Sequence, residues 1–344
     1  MKEHNWIKLL LLPFSWIYGL VTTIRNAFYD VGVLSTENPS QFVISVGNLT
    51  VGGTGKTPMI EYLVTKLALK YNLSVLSRGY GRKSSGLLFA DTHSTASDIG
   101  DEPMQFFSKY GKSVIVAVCE NRVKGADAIM QAFPKNQVLL LDDAFQHRAI
   151  GRNINILLND FNRPFYQDYP FPAGRLREGR SGAKRADAIV VTKCPVDITD
   201  GQKKIIIKKI QKYSLQSIPI FFASTHYGQP IGFDNKPVEL KKVKLIVGIA
   251  SPLPFLTFVK DRYEVIDQII HPDHHNYTSE DLEALIKNLK SDTFVLTTEK
   301  DMVKLKPLAK EYGKLANFAF IPIRLDLGSD TTTFDGWMDR LMVI

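Results

Sequence analysis

Residues 41–57, QFVISVGNLTVGGTGKT, join an apolar strand pattern to a glycine-rich turn and the start of a helical pattern. Residues 41–47 predict a buried strand, and a helix is predicted over about 57–70. Between them, the glycines allow backbone N–H groups to close around phosphate oxygens, and the first turn of the helix adds positive potential. The stretch therefore predicts a phosphate-binding loop, with a glycine-rich turn that binds no ligand as the alternative.

The polar side chains of the predicted loop have defined roles in binding a nucleoside triphosphate. Lys56 would reach the β- and γ-phosphates, and Thr57 would offer its hydroxyl to Mg²⁺. The strict motif places Gly six residues before the lysine, where this chain has Thr50, so the match is slightly irregular. The predicted nucleotide-binding residues are Thr50, Val51, Gly52, Gly53, Thr54, Gly55, Lys56 and Thr57.

Further short apolar runs follow the loop and alternate with helix-like segments. This alternation is typical of a parallel sheet covered by helices on both faces, and it predicts a doubly wound α/β core of the P-loop NTPase class. The runs lie at 73–77, 113–118, 138–141, 154–158 and 188–192.

A second, smaller α/β domain is predicted after a connector rich in Gly, Pro and Asn. Its strands are expected near 244–248, 264–267, 293–297 and 317–321, with helices after Pro252, Thr278 and Glu299. The predicted organisation is an N-terminal hydrophobic helix over 1–28, the phosphate-binding core over 29–225 and the smaller domain over 226–344.

The N-terminal helix carries a membrane signal. Residues 9–24 contain no charge, and Lys8 and Arg25 flank them. Sixteen helical residues span about 24 Å, less than the roughly 30 Å hydrocarbon core of a bilayer, and Pro13 weakens a straight span. Tryptophans beside basic residues favour a helix at the membrane surface. A secretory signal and a buried core helix are the alternatives.

Composition sets outer limits on function. The chain has 344 residues, 44% hydrophobic and 23% charged, which indicates a folded protein and excludes disorder as the main state. A net charge of +8 favours anionic partners without choosing among them. Cys119 and Cys194 are too far apart for a zinc or redox motif, and they indicate a reducing, cytosolic environment.

Two adjacent carboxylates end one of the apolar runs. Asp142 and Asp143 follow Val138-Leu139-Leu140-Leu141 at the expected carboxyl end of a strand. In phosphate-loop enzymes a carboxylate at this position binds Mg²⁺, so both are predicted metal ligands, with an acidic turn as the alternative.

Seven ordered strings over nearly the whole chain together resemble the tetraacyldisaccharide 4′-kinase (lipid A 4′-kinase) family. They are GNLTVGGTGKTP at 47–58, SRGYGR at 77–82, GDEP at 100–103, DDAFQH at 142–147, AGRLRE at 173–178, PDH at 272–274 and TEKD at 298–301. The resemblance implies transfer of the γ-phosphate of ATP to the 4′-hydroxyl of tetraacyldisaccharide 1-phosphate, which forms lipid IVA in lipid A biosynthesis. It also implies ATP and Mg²⁺ as cofactors and a place at the cytoplasmic face of the bacterial inner membrane.

By the same resemblance, Asp101 is the expected catalytic base, assisted by His274, and Lys56 acts in catalysis. Because Asp101 and His274 come from different halves of the chain, the two domains are expected to close over the substrate. From the residues alone, Asp101 could instead cap a helix before Pro103. His274 could equally belong to a surface histidine cluster with its neighbours.

The resemblance also implies roles for six further side chains. Arg177 would hold phosphate and Glu178 would assist metal binding, although Gly179 replaces the family's usual Pro. The expected substrate contacts are Arg78, Arg122, Gln146 and His147. Solvated surface arginines and polar groups at the edge of the core are the alternatives for these four.

Two other classes of function stay open from sequence. A switch GTPase would use the same loop, and Thr192-Lys193-Cys194-Pro195 faintly resembles a guanine-binding element without its Asn and Asp. A nucleic-acid-binding ATPase would fit the positive charge, but the sequence shows no nucleic-acid-binding signature. We therefore expect a lipid acceptor and a membrane surface as partners, with no nucleic acid and no obligate protein partner.

Overall fold

A computed structural model describes residues 5–290 and 292–342 and shows an α/β fold with mostly parallel sheets flanked by helices. The helices are α1 Asn5–Asp30, α2 Lys56–Leu67, α3 Ala96–Ile99, α4 Asp101–Tyr110, α5 Arg122–Ala132, α6 Asp200–Ile210, α7 Leu253–Lys260, α8 Ser279–Ile286, α9 Glu299–Glu311 and α10 Thr331–Leu341. The strands are β1 Phe42–Asn48, β2 Leu73–Ser77, β3 Leu88–Phe89, β4 Val114–Val118, β5 Val138–Asp142, β6 Ile154–Asp160, β7 Ala188–Thr192, β8 Ile220–Phe222, β9 Ser224–Tyr227, β10 Ile231–Gly232, β11 Lys242–Val247, β12 Glu264–Ile270, β13 Thr293–Thr298, β14 Phe318–Ile321 and β15 Ile323–Asp326.

The chain divides into two compact units whose boundaries differ from the predicted domains. The first unit comprises residues 1–78, 119–225 and 325–344, and the second comprises 79–118 and 226–324. The segment 79–118 joins the second unit because its helix α4 packs on α9, with Met104 against that unit's core. The last segment joins the first unit because Phe334 on α10 packs against Phe221. Of the predicted end domains, residues 1–4, 343 and 344 lie outside the described residues.

The sheet of the first unit contains six parallel strands in the order β2-β5-β1-β6-β7-β8. Strands β2, β5, β6 and β7 are buried along their whole length, which explains why their sequences are continuous apolar runs without alternation. Strand β1 lies between β5 and β6, so the turn that follows it leaves from the middle of the sheet.

The second unit has its own sheet, in the order β10-β14-β13-β11-β12. Four of its strands are parallel and β10 is antiparallel to β14. Strands β3 and β4, from the segment 79–118 of this unit, form an antiparallel pair. One apolar cluster covers the five-stranded sheet beneath α8 and α9, and it includes Leu282, Leu285, Met302 and Leu305.

Helix α1 belongs to the first unit and continues beyond the predicted apolar run, over 26 residues with Pro13 inside. One face is tied to the loop around residues 168–178. The Ser15 hydroxyl accepts a hydrogen bond from the Ala173 backbone at 2.8 Å, and the Tyr18 hydroxyl donates to the Arg177 carbonyl at 3.0 Å. The other face exposes large apolar side chains, which are Trp6, Leu9, Leu10, Phe14, Trp16, Ile17, Leu20, Val21, Ile24 and Phe28.

Every helix in residues 5–290 and 292–342 falls short of the length and apolar character that crossing a membrane requires.

Candidate active site

Polar side chains lie at the carboxyl ends of the parallel strands in the first unit. Asn48 ends β1, Ser77 ends β2, Asp142 ends β5, Asp160 ends β6 and Thr192 ends β7. In open α/β sheets, ligands bind at this edge of the sheet. The predicted loop and the predicted acidic pair therefore lie at the edge where ligand-binding residues are expected.

The glycine-rich loop, residues 49–55, follows β1 and ends where α2 begins. Gly52 and Gly55 have φ values of 111° and 86°, in the left-handed region where a residue with a Cβ is strained. The Asn48 amide donates to the Thr54 hydroxyl at 2.7 Å, which ties the strand end to the loop. This local conformation explains why the sequence needs glycine at these two places.

Neighbouring segments hold the glycine-rich loop from two sides. On one side, the Val51 N–H donates to the Arg175 carbonyl at 2.8 Å, and the Arg177 N–H donates to the Leu49 carbonyl at 2.7 Å. On the other side, the Thr192 hydroxyl donates to the Thr54 carbonyl at 2.8 Å. The loop is therefore held in shape by the protein itself.

Lys193 adds a further tie and was not predicted as a site residue. Its ammonium donates to the Gly53 carbonyl and pairs with Asp160 at 2.7 Å. Thr192 and Lys193 belong to the element that faintly resembled a guanine-binding motif. In this structure both side chains are used to hold the glycine-rich loop.

The Asp143 carboxylate lies close to two cationic side chains. Lys56 Nζ lies 3.7 Å and Arg177 Nη1 2.9 Å from the same carboxylate oxygen, Oδ1. Burial by itself raises the pKa of Asp143, but the positive charges of Lys56 and Arg177 outweigh it, so the pKa lies below its usual value. The structure thus brings together three of the predicted site residues.

Asp142 and Arg122 are both buried beside this cluster. Asp142 Oδ2 accepts a hydrogen bond from the Ser77 hydroxyl at 3.1 Å. The Arg122 guanidinium donates to the carbonyls of Cys119 at 2.7 Å and Asp142 at 3.3 Å. Burial lowers the pKa of Arg122 to about 10, and the negative charges of Asp142 and Asp143 oppose that shift. This geometry favours a structural role for Arg122, in which it holds the end of β5, and gives less support to the predicted contact with substrate.

Glu178 was predicted to assist metal binding, and the structure gives its carboxylate another use. Oε2 accepts from the Asn26 amide at 2.6 Å, while Oε1 accepts from the Gln146 amide at 3.0 Å and pairs with Arg185 at 2.7 Å. The residue is only 3% exposed. Because three donors of the protein bind its two oxygens, the carboxylate links α1 to the active-site edge, and its role as a metal ligand stays a prediction.

The remaining predicted substrate contacts differ in their surroundings. The Gln146 amide donates to the Asn48 carbonyl at 2.9 Å as well as to Glu178, so it connects the end of β1 to Glu178. Arg78 is exposed directly after β2. His147 is half-buried, and burial, with the positive charges of Arg122 and Arg78, lowers its pKa from 6.5 to about 4.

In the second unit, Asp101 and His274 are in direct contact. His274 Nδ1 lies 3.0 Å from Asp101 Oδ2. Both residues belong to one compact unit, so their separation along the chain gives no reason to expect that two domains close over the substrate. Asp101 is the first residue of α4, and Gly100 occupies the cap position, so the helix-cap alternative for Asp101 does not hold either.

Two lysines of α9 complete this cluster. Lys304 Nζ lies 3.0 Å from Asp101 Oδ2, and Lys300 Nζ lies 3.3 Å from His274 Nε2. Burial by itself raises the pKa of Asp101, but the hydrogen bond from His274 and the charge of Lys304 outweigh it, and the pKa lies below its usual value. Nδ1 of His274 thus faces Asp101, and Nε2 faces Lys300.

The backbone around this cluster has local strain. His274 has a φ of 60°, which is uncommon for a residue with a side chain, and its N–H is bonded to Asp273 Oδ1 at 3.0 Å. The Tyr80 ring lies 5.1 Å from the His274 ring. A Cβ on Gly100 would come within 2.9 Å of the Tyr80 carbonyl oxygen, so only glycine fits before Asp101.

A neighbouring histidine cluster does not include His274. Nitrogen and oxygen atoms of His271, His275 and Asp281 lie within 4.8 Å of one another, close enough for a metal ion. However, the two imidazole rings are stacked at 3.8 Å and almost parallel, at 9°. Their in-plane lone pairs therefore run side by side instead of converging on one point, and His275 Nε2 is already 2.9 Å from Asp281.

Comparison with known proteins shows the family of this chain. A family model described as Tetraacyldisaccharide-1-P 4′-kinase matches residues 7–343. A curated tetraacyldisaccharide 4′-kinase of Cytophaga hutchinsonii is 40% identical over 332 residues, which is 94% of this chain and 93% of the relative. The chain belongs to the tetraacyldisaccharide 4′-kinase family. Another relative of that name, from Parabacteroides distasonis, is 42% identical over 315 residues, covering 87% of this chain and 84% of the relative.

A solved structure of this family is similar over its whole length. The crystal structure of LpxK from Aquifex aeolicus in complex with ATP has a TM-score of 0.78 and 28% identity, and the match covers 97% of this chain and 99% of that one. The family that the sequence strings resembled is thereby confirmed.

Proposed function

We propose that this protein transfers the γ-phosphoryl group of ATP to the 4′-hydroxyl of tetraacyldisaccharide 1-phosphate, a step of lipid A biosynthesis. The observation that carries the proposal is the cluster at the sheet edge of the first unit. There a glycine-rich loop leads into Lys56, which lies 3.7 Å from Asp143, in a chain that belongs to the 4′-kinase family. This combination fits nucleotide binding for phosphoryl transfer.

The first unit would bind the nucleotide as a P-loop core. Backbone N–H groups of residues 52–57 would hold the phosphates, while Lys56 and Arg177, which both contact the Asp143 carboxylate, would neutralise their charge. The oxygen donors Thr57, Asp142 and Asp143 suit Mg²⁺, which prefers hard oxygen ligands. When bound, Mg²⁺ would supply further charge neutralisation on the phosphates.

Asp101 would supply the base. Asp101, held ionised by its neighbours, would accept the proton of the 4′-hydroxyl. The hydroxyl oxygen then forms a bond to the γ-phosphorus, the bond from that phosphorus to the β,γ-bridging oxygen breaks, and ADP leaves with the electron pair. His274 would orient the Asp101 carboxylate through Nδ1–H.

The exposed apolar face of α1 supports a place at a membrane. Trp16, Ile17 and Leu20 are each at least 60% exposed, and an acylated acceptor lies in a bilayer. We infer a peripheral or monotopic position at the cytoplasmic face of the bacterial inner membrane, with α1 in the interface. Its opposite face, tied to the loop around residues 168–178, would carry the active-site edge close to the lipid headgroups.

Transfer of labelled γ-phosphate from Mg-ATP to lipid A disaccharide 1-phosphate in detergent micelles tests the proposal. We expect lipid-dependent labelling that Lys56→Ala abolishes, because its ammonium would no longer reach the phosphates. Asp101→Ala should lower kcat on the order of 10²- to 10⁴-fold while ATP binding stays close to wild type. A folded, ATP-binding protein that labels no lipid would refute the kinase, and a strong preference for GTP without acceptor turnover would favour a switch.

A further inference from the structure

We propose that Lys304 is a positioning residue for Asp101: it commits that carboxylate to its ionised form and holds it through Oδ2, which leaves Oδ1 to receive the acceptor proton. The inference rests on the proposed role of Asp101 as the base.

The contact is short and well shielded from solvent. Lys304 Nζ lies 3.0 Å from Asp101 Oδ2, and the two side chains are 6% and 11% exposed. The same ammonium is 4.0 Å from Asp301 Oδ1 and 5.6 Å from the centre of the Tyr277 ring. Because α4 and α9 pack against each other, this geometry follows from the fold of the second unit.

His274 and Lys304 both contact the same oxygen of the Asp101 carboxylate. His274 Nδ1 and Lys304 Nζ are each 3.0 Å from Oδ2. Two donors on one oxygen fix the plane of the carboxylate and hold its charge, while the second oxygen stays available for a hydroxyl. This division favours general-base catalysis, because the acceptor hydroxyl must come within hydrogen-bond reach of the carboxylate.

The two donors differ in what they can do. An imidazole can donate or accept at a given nitrogen, depending on its tautomer, and so can adapt to either state of a carboxyl group. A lysine ammonium has three N–H donors and no acceptor, so it stabilises only the ionised carboxylate. Lys304 is therefore the neighbour that opposes protonation of Asp101 most strictly.

Several other titratable or charged groups surround this carboxylate. They are Glu102 on α4, Lys300 and Asp301 on α9, Asp273, His274 and Tyr277 in the segment after β12, and Tyr80 beside the His274 ring. Lys300 is paired with Asp273 at 2.9 Å, and Asp301 is bonded to the Gly248 N–H and the Thr298 hydroxyl. Removing the Lys304 ammonium therefore takes away the lysine that is in direct contact with Asp101.

The test compares Lys304→Met, which removes the charge, with Lys304→Arg, which keeps it. Lys310→Met, at an exposed position of the same helix, is the matched control. With labelled ATP and the lipid acceptor in micelles, kcat and KM are measured from the acid side of the optimum to neutral pH. We expect Lys304→Met to move the acid limb of kcat to higher pH and to lower kcat on the order of 10- to 10²-fold, with KM for ATP unchanged.

Lys304→Arg should keep the acid limb in place, and Lys310→Met should match wild type. If the acid limb of Lys304→Met does not move, the inference is overturned, whether or not kcat and thermal stability fall. Lys304→Gln gives the same comparison should the Met variant fail to fold. Asp101→Ala separates the two claims: full activity there would refute Asp101 as the base, whereas an inactive Asp101→Ala beside an unshifted Lys304→Met refutes only the role of Lys304.

Discussion

Replacing Glu178 by Ala should destabilise the protein and leave its requirement for Mg²⁺ unchanged. The carboxylate is 4% exposed and the paired Arg185 side chain 19% exposed, so the substitution leaves a largely buried cation without its partner. Removing one member of a buried ion pair costs about 3–5 kcal/mol, and we take about 3 kcal/mol because Arg185 retains some access to water. For a unit of this size, that corresponds to a fall in Tm of about 6–12 °C.

The two possible roles of Glu178 make opposite predictions. Thermal unfolding and the Mg²⁺ concentration for half-maximal activity are measured for wild type, Glu178→Ala and Glu178→Gln, with Glu37→Ala as a control at an exposed glutamate. An anchoring carboxylate predicts a large fall in Tm for Ala, a smaller one for Gln and an unchanged Mg²⁺ midpoint. A normal Tm combined with a raised Mg²⁺ midpoint would refute the anchor and restore the metal ligand.

Three other perturbations test the structure of the first unit. Folding lowers the pKa of His147 from 6.5 to about 4, so the free energy of unfolding should fall as the pH falls through that window. In urea unfolding, His147→Gln should make the free energy of unfolding depend less on pH. An unchanged pH dependence would contradict the lowered pKa of His147. Trp16→Ser combined with Leu20→Ser should weaken binding to anionic vesicles at least about tenfold without lowering Tm; unchanged flotation would argue against α1 as the membrane contact. Gly47→Ala places a Cβ 2.7 Å from Phe145 Cβ, so denaturant unfolding should show a loss of about 1–3 kcal/mol, and a neutral result would contradict the packing.

The strands of five or more residues could be predicted closely from the sequence, whereas the short strands β3, β8, β9, β10 and β15 were not predicted. Strands β2 and β7 coincide with the predicted runs 73–77 and 188–192, because a fully buried strand needs apolar residues throughout and its ends are marked by polar side chains. Helix α1, predicted within residues 1–28, continues to Asp30. Its contacts with the loop around residues 168–178, made by Ser15 and Tyr18, could not be predicted, because both residues lie within the same uncharged run as the exposed apolar side chains.

The division into units could not be predicted, because it depends on which surfaces pack together. The segment 79–118 lies between strands of the predicted core in sequence, yet its helix α4 packs on α9, which is far away along the chain. For the same reason, Lys304 was missed. It lies just after the TEKD string, and nothing in the spacing indicates that it faces Asp101.

The protein contacts of Glu178 could not be predicted from the motif that contains it. Its place beside Arg177, in a string shared with a phosphotransferase family, favoured metal binding. The identity of its partners depends on α1 and on residues 146 and 185, which sequence spacing does not connect. The acidic pair of Asp142 and Asp143 was easier to predict, because a strand that ends in carboxylates places them at the ligand-binding edge directly.

The most direct test of the central claim is to follow labelled γ-phosphate from ATP into two matched acceptors. One is tetraacyldisaccharide 1-phosphate with a free 4′-hydroxyl, and the other is the same lipid already phosphorylated at that position. We predict label in the first acceptor alone, at a rate that depends on Lys56. Equal labelling of both acceptors, or of neither by a protein that binds ATP, would contradict the 4′-kinase activity.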